Sequence, residues 1–106
     1  MDRGKTISRE EALGIVRRYK RVISSRYHSE PRVVMYGSYA KGHATPDSDI
    51  DVAVIVPQLE ITNHWEQSAD LWGDVRKVNV LIEPVLLEDN EDSMLYREVM
   101  RTGVSV

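Results

Sequence analysis

Two acidic residues, Asp49 and Asp51, stand at the beginning of a continuous apolar run, residues 52–56 with the sequence VAVIV. Such a run is typical of a strand that is covered on both faces, where an uncompensated carboxylate is costly. A glycine and a serine, Gly37 and Ser38, form a short turn just upstream. The pattern predicts that a metal ion and a polyphosphate fill the space between this turn and the strand.

The spacing of the two aspartates favours a shared metal site. Side chains at positions i and i+2 of a strand project to the same face, about 6–7 Å apart along the chain. Metal ions in a two-metal site lie about 3.5–4 Å apart, so one aspartate can bridge two ions while the other binds from the side. Magnesium suits carboxylate oxygens. The alternative is a solvated surface turn, which is the commoner setting for an isolated Asp-x-Asp pair.

The glycine-serine turn offers groups that bind phosphate. Gly37 lacks a side chain, so backbone N–H groups can approach a phosphate closely, and Ser38 adds a hydroxyl donor. A short helix beginning at Tyr39 would add free N–H groups, and Lys41 would add a cation. The alternative for the dipeptide alone is a plain tight turn. The strand, turn, loop, acidic pair and apolar strand together favour the phosphate site.

Capping residues and apolar periodicity predict the remaining elements. The predicted elements are a helix over 8–25, a strand over 33–36, a short helix over 39–42, a strand over 50–56, a helix over 63–77, a strand over 80–87 and a helix over 93–101, with an extended piece at 104–106. This order predicts a small mixed α/β (α+β) sheet with helices packed on it, in one domain spanning 1–106.

Three features of these elements carry specific structural expectations. Pro84 lies inside a predicted strand and cannot donate to a ladder, so that strand should lie at an edge or be irregular. Trp65 and Trp72 fall on one face of the third helix, where they belong either to the core or to a surface that binds a partner. Gly103 is expected to end the last helix.

Composition excludes several classes of protein. The chain contains no cysteine, and His28, His43 and His64 have no zinc-site spacing. Residues 1–32 carry nine Lys/Arg against four Asp/Glu, whereas residues 33–106 carry five against thirteen. The net charge of −3 disfavours nucleic-acid binding, and the basic first helix is read as a solvated surface. With neither a membrane-span nor a signal-peptide pattern, a cytoplasmic protein without membrane contact is expected.

Two short runs carry a resemblance to a known family. The run GSYAKG at 37–42, followed by SDIDV at 48–52, resembles the signature of the DNA polymerase β-like nucleotidyltransferase superfamily. Within it, the chain is most similar to the minimal nucleotidyltransferases (MNT). The resemblance covers residues 32–106, because the run at 93–104 looks like the helix that closes many such domains.

The resemblance implies a polymerase β-like nucleotidyltransferase fold and a set of site residues. Asp49 and Asp51 would bind two Mg²⁺ ions with a third carboxylate, which is Glu83 or, alternatively, Glu88. Glu83 is the better match, although the family more often has aspartate there. These acids would be the catalytic residues. The implied nucleotide-binding residues are Gly37, Ser38, Lys41 and Ser48.

The implied reaction is transfer of a nucleoside monophosphate from a nucleoside triphosphate, AMP from ATP, to a hydroxyl acceptor. Minimal members resemble the antitoxin half of HEPN/MNT toxin–antitoxin pairs, in which the acceptor would be a tyrosine of a helical HEPN ribonuclease. The chain would then form homo- or hetero-oligomers. Two alternatives stay open: a non-catalytic module that neutralises a HEPN toxin by complex formation, and transfer to an aminoglycoside-like small molecule.

Overall fold

A computed structural model describes residues 6–106, in which four helices pack against a four-stranded sheet. Residues 1–5, part of the N-terminal stretch that is expected to lack a signal peptide, lie outside the described residues. No helix within 6–106 combines the length and the apolar character that crossing a bilayer requires. The elements are α1 (Arg9–Ile23), β1 (Arg32–Tyr36), α2 (Gly37–Lys41), β2 (Ile50–Val56), α3 (His64–Val75), β3 (Ile82–Glu88), α4 (Met94–Thr102) and β4 (Val104–Ser105).

The sheet has the strand order β3-β2-β1-β4. Strand β2 pairs with β1 antiparallel and with β3 parallel, and β4 pairs with β1 antiparallel. The apolar run at 52–56 is buried throughout, which confirms the prediction of a covered strand. Strand β3 lies at an edge, as Pro84 predicted. The mixed α/β fold class expected from the order of elements is therefore confirmed.

The two faces of the sheet are covered unequally. Helices α1 and α3 pack on one face, where Val52, Val54 and Ile82 join the larger of two apolar clusters. Helix α4 packs on the other face through Val99, against a smaller cluster from β1, β2 and β3. Residues alternate in direction along a strand, so Asp51 projects to the face that carries α4.

Capping residues set the helix starts as predicted. The hydroxyl of Ser8 accepts a hydrogen bond from the backbone N–H of Glu11 at 3.0 Å, and the Ser8 N–H donates to the Glu11 carboxylate at 3.3 Å. Asn63 and Ser93 cap α3 and α4 in the same way, each accepting at 3.1 Å from the third residue on. Local hydrogen bonds of this kind are readable from sequence because both partners lie within one turn.

Gly103 ends α4, as expected, without the left-handed conformation that a glycine after a helix often adopts. Its φ is −78°, which any residue adopts. A Cβ at this position would instead collide with a methyl group of Val34 and with the carbonyl oxygen of Val99. Glycine is therefore required by the close passage of the chain over β1.

The core interpretation of the two tryptophans is wrong. Trp65 is 85% exposed and Trp72 is 49% exposed, whereas α3 buries Leu71, Asp74 and Val75. The buried face includes the carboxylate of Asp74. A search for the apolar face of a helix from the spacing of apolar residues does not assign an acidic residue to the core. The apolar stripe seen in the sequence thus lies on the outer side of α3.

The third predicted strand begins two residues later than expected, at Ile82 instead of Val80. The side chain of Asn79 accepts from the N–H of Leu81 at 2.8 Å, and its carbonyl oxygen accepts from the N–H of Ile82 at 3.2 Å. These bonds form a turn that holds Val80 outside the sheet, where it is 61% exposed. Asparagine turns of this kind compete with strand pairing.

The buried carboxylate of Asp74 anchors α3 to the segment that follows α1. The Arg26 guanidinium donates to both its oxygens, at 2.6 and 2.9 Å, and Lys77 lies 2.9 Å away. Hydrogen bonding to Arg26, followed by that to Lys77, holds the pKa of Asp74 below its ordinary value. Stability from this group is thus complete above the unfolded pKa of about 3.9 and is lost as pH falls through the lower folded pKa.

We expect Arg26→Met to lower the free energy of unfolding by about 3 kcal/mol at pH 7, because it leaves the buried Asp74 with only Lys77 as a cationic partner. Urea denaturation at pH 7 and pH 3 measures the change, which should shrink at the lower pH. The matched control is Asp70→Asn, since Asp70 contacts Arg26 at 3.5 Å from an exposed position and should cost less than about 0.5 kcal/mol. Equal effects of the two substitutions would contradict this account.

Candidate active site

Three side chains form a row across the sheet on the face that carries α4. Tyr36 of β1 pairs with Asp51 of β2, and Asp51 pairs with Glu83 of β3. Directly paired residues point to the same face, and neighbouring strands lie about 4.8 Å apart. Two carboxylates and a phenol from three separate strands therefore lie side by side at the N-terminal end of β2.

The glycine-serine turn lies directly against Asp51. Helix α2 begins at Gly37, two residues earlier than predicted, because a φ of +72° turns the chain straight from β1 into the helix. A Cβ at Gly37 would collide with carboxylate oxygen Oδ2 of Asp51. Tyr39, which is buried in the core, fixes α2 on the sheet, and Gly42 ends it. The structure thus brings the predicted turn and the predicted acid into contact.

The pKa values of two acids of this site, Asp51 and Glu83, are raised by burial and by neighbouring carboxylates. Burial, followed by the charge of Asp49, raises the pKa of Asp51. A hydrogen bond with Asp49 is the largest cause that raises the pKa of Glu83, with burial and the charges of Asp51 and Asp49 adding to it. The three predicted acids are therefore close enough to repel each other, which favours a cation among them.

Asp49 precedes β2 at the end of a hydrogen-bonded turn. The N–H of Thr45 donates to the Ser48 hydroxyl at 2.8 Å, and the Ser48 N–H donates back to the Thr45 carbonyl at 3.0 Å. Ser48 thereby closes the loop that delivers Asp49 to the site. Its predicted contact with a nucleotide remains a prediction, as does that of Ser38, which is half-buried at the start of α2.

Lys41 lies at the end of α2, where its ammonium contacts the Glu98 carboxylate of α4 at 2.9 Å. This ion pair directs the side chain toward α4. The expectation that Lys41 binds phosphate remains a prediction.

The strand register separates the two candidates for the third carboxylate. Glu83 lies opposite Asp51, whereas Glu88 lies opposite Val56, five residues further along the sheet. Five residues of extended chain span about 16 Å, so Glu88 cannot share a metal ion with Asp51. Glu88 is instead part of the exit turn, where its N–H donates to Glu91 at 2.8 Å.

The donor set at this site fits magnesium by its chemistry. Asp49, Asp51 and Glu83 supply hard oxygen ligands, and their mutual repulsion would be relieved by a divalent ion. Within residues 6–106, however, no three acidic or histidine side chains already converge in a metal-binding arrangement. Ligand binding would thus require these carboxylates to turn toward a shared point.

Tyr36 was not identified as a site residue from the sequence. Burial, followed by the charges of Asp51 and Glu83, raises the pKa of its hydroxyl to about 12, so it stays protonated. It forms one wall of the site beside Asp51. A tyrosine at the end of an apolar strand carries no distinguishing local signal, and only the pairing of β1 with β2 reveals its place.

Comparisons with known proteins show relatives of this chain. Over 98 residues, 91% of this chain and 99% of the relative, the chain is 26% identical to "Putative protein adenylyltransferase MJ0141" of Methanocaldococcus jannaschii. It is 27% identical over 101 residues, 87% of this chain and 98% of the relative, to "Putative protein adenylyltransferase MJ1379" of the same organism.

A crystal structure of a "putative nucleotidyltransferase" from Sulfolobus solfataricus has a similar fold, with a TM-score of 0.59 at 18% identity, over 96% of this chain and 88% of that one. The sequence profile of the nucleotidyltransferase domain family matches residues 16–103, which include the turn, the acidic pair and Glu83. The chain is therefore a nucleotidyltransferase and belongs to the nucleotidyltransferase domain family.

Proposed function

We propose that this nucleotidyltransferase transfers AMP from ATP to a tyrosine hydroxyl of a helical HEPN-family protein and so acts as an antitoxin. One observation carries the catalytic part of the proposal: Asp51 lies between Glu83 and the glycine-serine turn. The names of the Methanocaldococcus relatives support a protein as acceptor and AMP as the group transferred. The resemblance to MNT antitoxins supports a HEPN protein as that acceptor.

The site residues have two roles: they bind the nucleotide, and they position the acceptor hydroxyl. Asp49, Asp51 and Glu83 would hold Mg²⁺, which supplies charge neutralisation for the triphosphate. The backbone at Gly37 allows close approach of the phosphates, and the Ser38 hydroxyl donates a hydrogen bond to them. The carboxylates orient the acceptor hydroxyl in line with the α-phosphate.

In the transfer itself, the acceptor oxygen forms a bond to the α-phosphorus while the bond to the β-phosphate oxygen breaks. Pyrophosphate leaves with the electron pair of that bond. The proton of the acceptor hydroxyl passes to a water molecule, which can reach the site because Glu83 at its edge is exposed.

The test is to incubate the protein with Mg²⁺ and each of the four nucleoside triphosphates, with and without the cognate HEPN protein. We expect ATP to add one adenylyl group to a tyrosine of the partner, detected by mass spectrometry and by pyrophosphate release. The double substitution Asp49→Ala/Asp51→Ala should abolish both signals. Transfer retained by this variant, once shown to be folded, would refute the assigned site.

Two additions to this experiment separate the alternative functions: an assay of toxin neutralisation and an incubation with an aminoglycoside-like compound. If no triphosphate modifies the partner and the double variant still neutralises it, the chain acts by complex formation. If pyrophosphate is released only with an aminoglycoside-like compound, the acceptor is a small-molecule hydroxyl.

A further inference from the structure

The outer side of α3 carries a stripe suited to packing against another helix. Trp65, Ala69, Trp72 and Arg76 recur at i, i+4, i+7 and i+11, so they lie on one line along the helix. Both tryptophans are exposed. Exposed indole rings at such spacing are typical of protein interfaces, in which tryptophan and arginine are enriched.

A groove runs beside this stripe at the C-terminal end of α3. It has a volume of about 470 Å³ and is lined by Ala69, Trp72, Gly73, Val75, Arg76 and Val80. Apart from its two chain neighbours and the backbone of α3 itself, nothing lies within 4 Å of the position where Gly73 would carry a Cβ, so the groove is open beside the helix backbone. Its shape and apolar lining suit a flat aromatic side chain.

The stripe is complementary to itself when it is reversed. In an antiparallel pair of helices centred between Ala69 and Trp72, Trp65 faces Arg76 of the second copy, and Ala69 faces Trp72 of the second copy. Each large side chain therefore meets either a small one or a guanidinium that can stack on its ring. The exposed acid Glu66 lies near one end of α3 and Arg76 lies near the other, so each would approach its opposite charge.

The self-complementary order of the stripe indicates that the partner of this surface is a second copy of the same chain. A two-fold axis requires that when residue i contacts residue j, residue j also contacts residue i. We propose that α3 pairs with α3 of a second copy in antiparallel orientation, placing Trp65 of each chain in the groove beside Trp72 of the other. The proposal is independent of the reaction described above. Because α3 covers the face opposite Asp51 and Glu83, both active sites of such a dimer stay open to an acceptor.

The dimer should be of modest affinity. Helix α3 has 12 residues and is about 18 Å long, so the interface is small. We expect a dissociation constant on the order of micromolar, with dimer predominating at about 200 µM by sedimentation equilibrium. Trp65→Ala is expected to weaken the dimer about 30-fold or more. Leu59→Ala is a matched control, because Leu59 is similarly exposed but lies before α3, outside the stripe.

A charge-swap experiment tests the antiparallel pairing directly. Glu66→Lys brings a cation to Arg76 of the other copy at both contacts of the homodimer, and Arg76→Glu likewise brings two acids together, so each variant alone should be predominantly monomeric. In a heterodimer of the two variants, the lysine introduced at position 66 of one chain faces the glutamate introduced at position 76 of the other, and the native Arg76 of the first chain faces the native Glu66 of the second. Both contacts therefore pair opposite charges, and the mixture should associate. Acid at the start of a helix and base at its end also complement the helix dipole, but dipole effects alone would not restore association on mixing.

Circular dichroism melting shows whether each variant is folded, which is expected because both substituted positions are exposed. Sedimentation of the native protein as a monomer at about 200 µM would overturn the proposal. So would a native dimer that is insensitive to Trp65→Ala, or failure of the mixed variants to associate. Binding of a different protein to α3 by a chain that remains monomeric would likewise reject it.

Discussion

Replacing Asp51 by asparagine is expected to lower the rate of nucleotide transfer by about three orders of magnitude or more. Asp51 is the central member of the row across the sheet, with Tyr36 on one side and Glu83 on the other. Asparagine keeps the shape of the side chain but removes the negative charge on which the proposed binding of a divalent ion depends. The change should appear in kcat/KM, measured by pyrophosphate release under saturating Mg²⁺.

The same substitution is not expected to destabilise the fold. The pKa of Asp51 is raised above its ordinary value by burial and by Asp49. An acid with a raised folded pKa contributes unfavourably once pH exceeds its unfolded pKa, so at pH 7 the ionised side chain opposes folding of the metal-free protein. Asp51→Asn should therefore match or exceed the native melting temperature without metal, and Mg²⁺ should stabilise the native protein more than the variant.

Glu88→Gln is the matched control for this prediction. Glu88 lies on the same strand as Glu83 but five residues away from the site. Its substitution should leave the transfer rate within about two-fold of the native value, as expected for a carboxylate that does not touch the reactants. A large loss for Glu88→Gln, together with unchanged activity for Asp51→Asn, would mean that the acidic centre lies elsewhere.

Gly37→Ala is expected to have the second largest effect, with losses in both stability and transfer. An alanine at a φ of +72° costs about 1–2 kcal/mol in backbone strain. Its Cβ would also collide with the Asp51 carboxylate, so the acid and the turn must separate. A displacement of about 1 Å at a reacting centre can cost about 100-fold in rate, which is the loss expected here.

Gly42→Ala separates these two causes. Gly42 has a φ of +75°, nearly the same as Gly37, but no atom lies within 4 Å of its Cβ position. Both variants should therefore lose a similar amount of unfolding free energy from strain, and only Gly37→Ala should show the additional loss of kcat. Similar transfer rates for the two folded variants would show that contact between the turn and Asp51 does not matter for the reaction.

Several elements were predictable because their signals are local. The capping residues Ser8, Asn63 and Ser93 each bond to a residue three positions away, so the helix starts follow from the sequence. The run at 52–56 is apolar without interruption, and it forms the central strand of the sheet. Such signals depend on hydrogen bonds within one turn or on burial on both faces, and neither requires knowledge of distant residues.

Other features depend on distant partners and were missed or misread. Asp74 is buried because Arg26 reaches it from a segment 48 residues earlier, which no window of sequence around α3 reveals. With that acid on the inner face, Trp65 and Trp72 lie on the outer one. Periodicity shows that one side of a helix is apolar. Whether that side lies in the core or at the surface depends on which side of the helix packs against another element of the fold.

The sequence by itself predicted the candidate site of this protein: an acidic pair at the start of a buried strand, preceded by a glycine-serine turn. Only the tertiary structure decided which other groups lie beside that pair. The parallel register of β2 with β3 places Glu83 beside Asp51 and leaves Glu88 about 16 Å away, and the antiparallel register with β1 adds Tyr36. Register arises from pairing between strands that are far apart in the chain, and a shift of one residue would turn Glu83 to the opposite face.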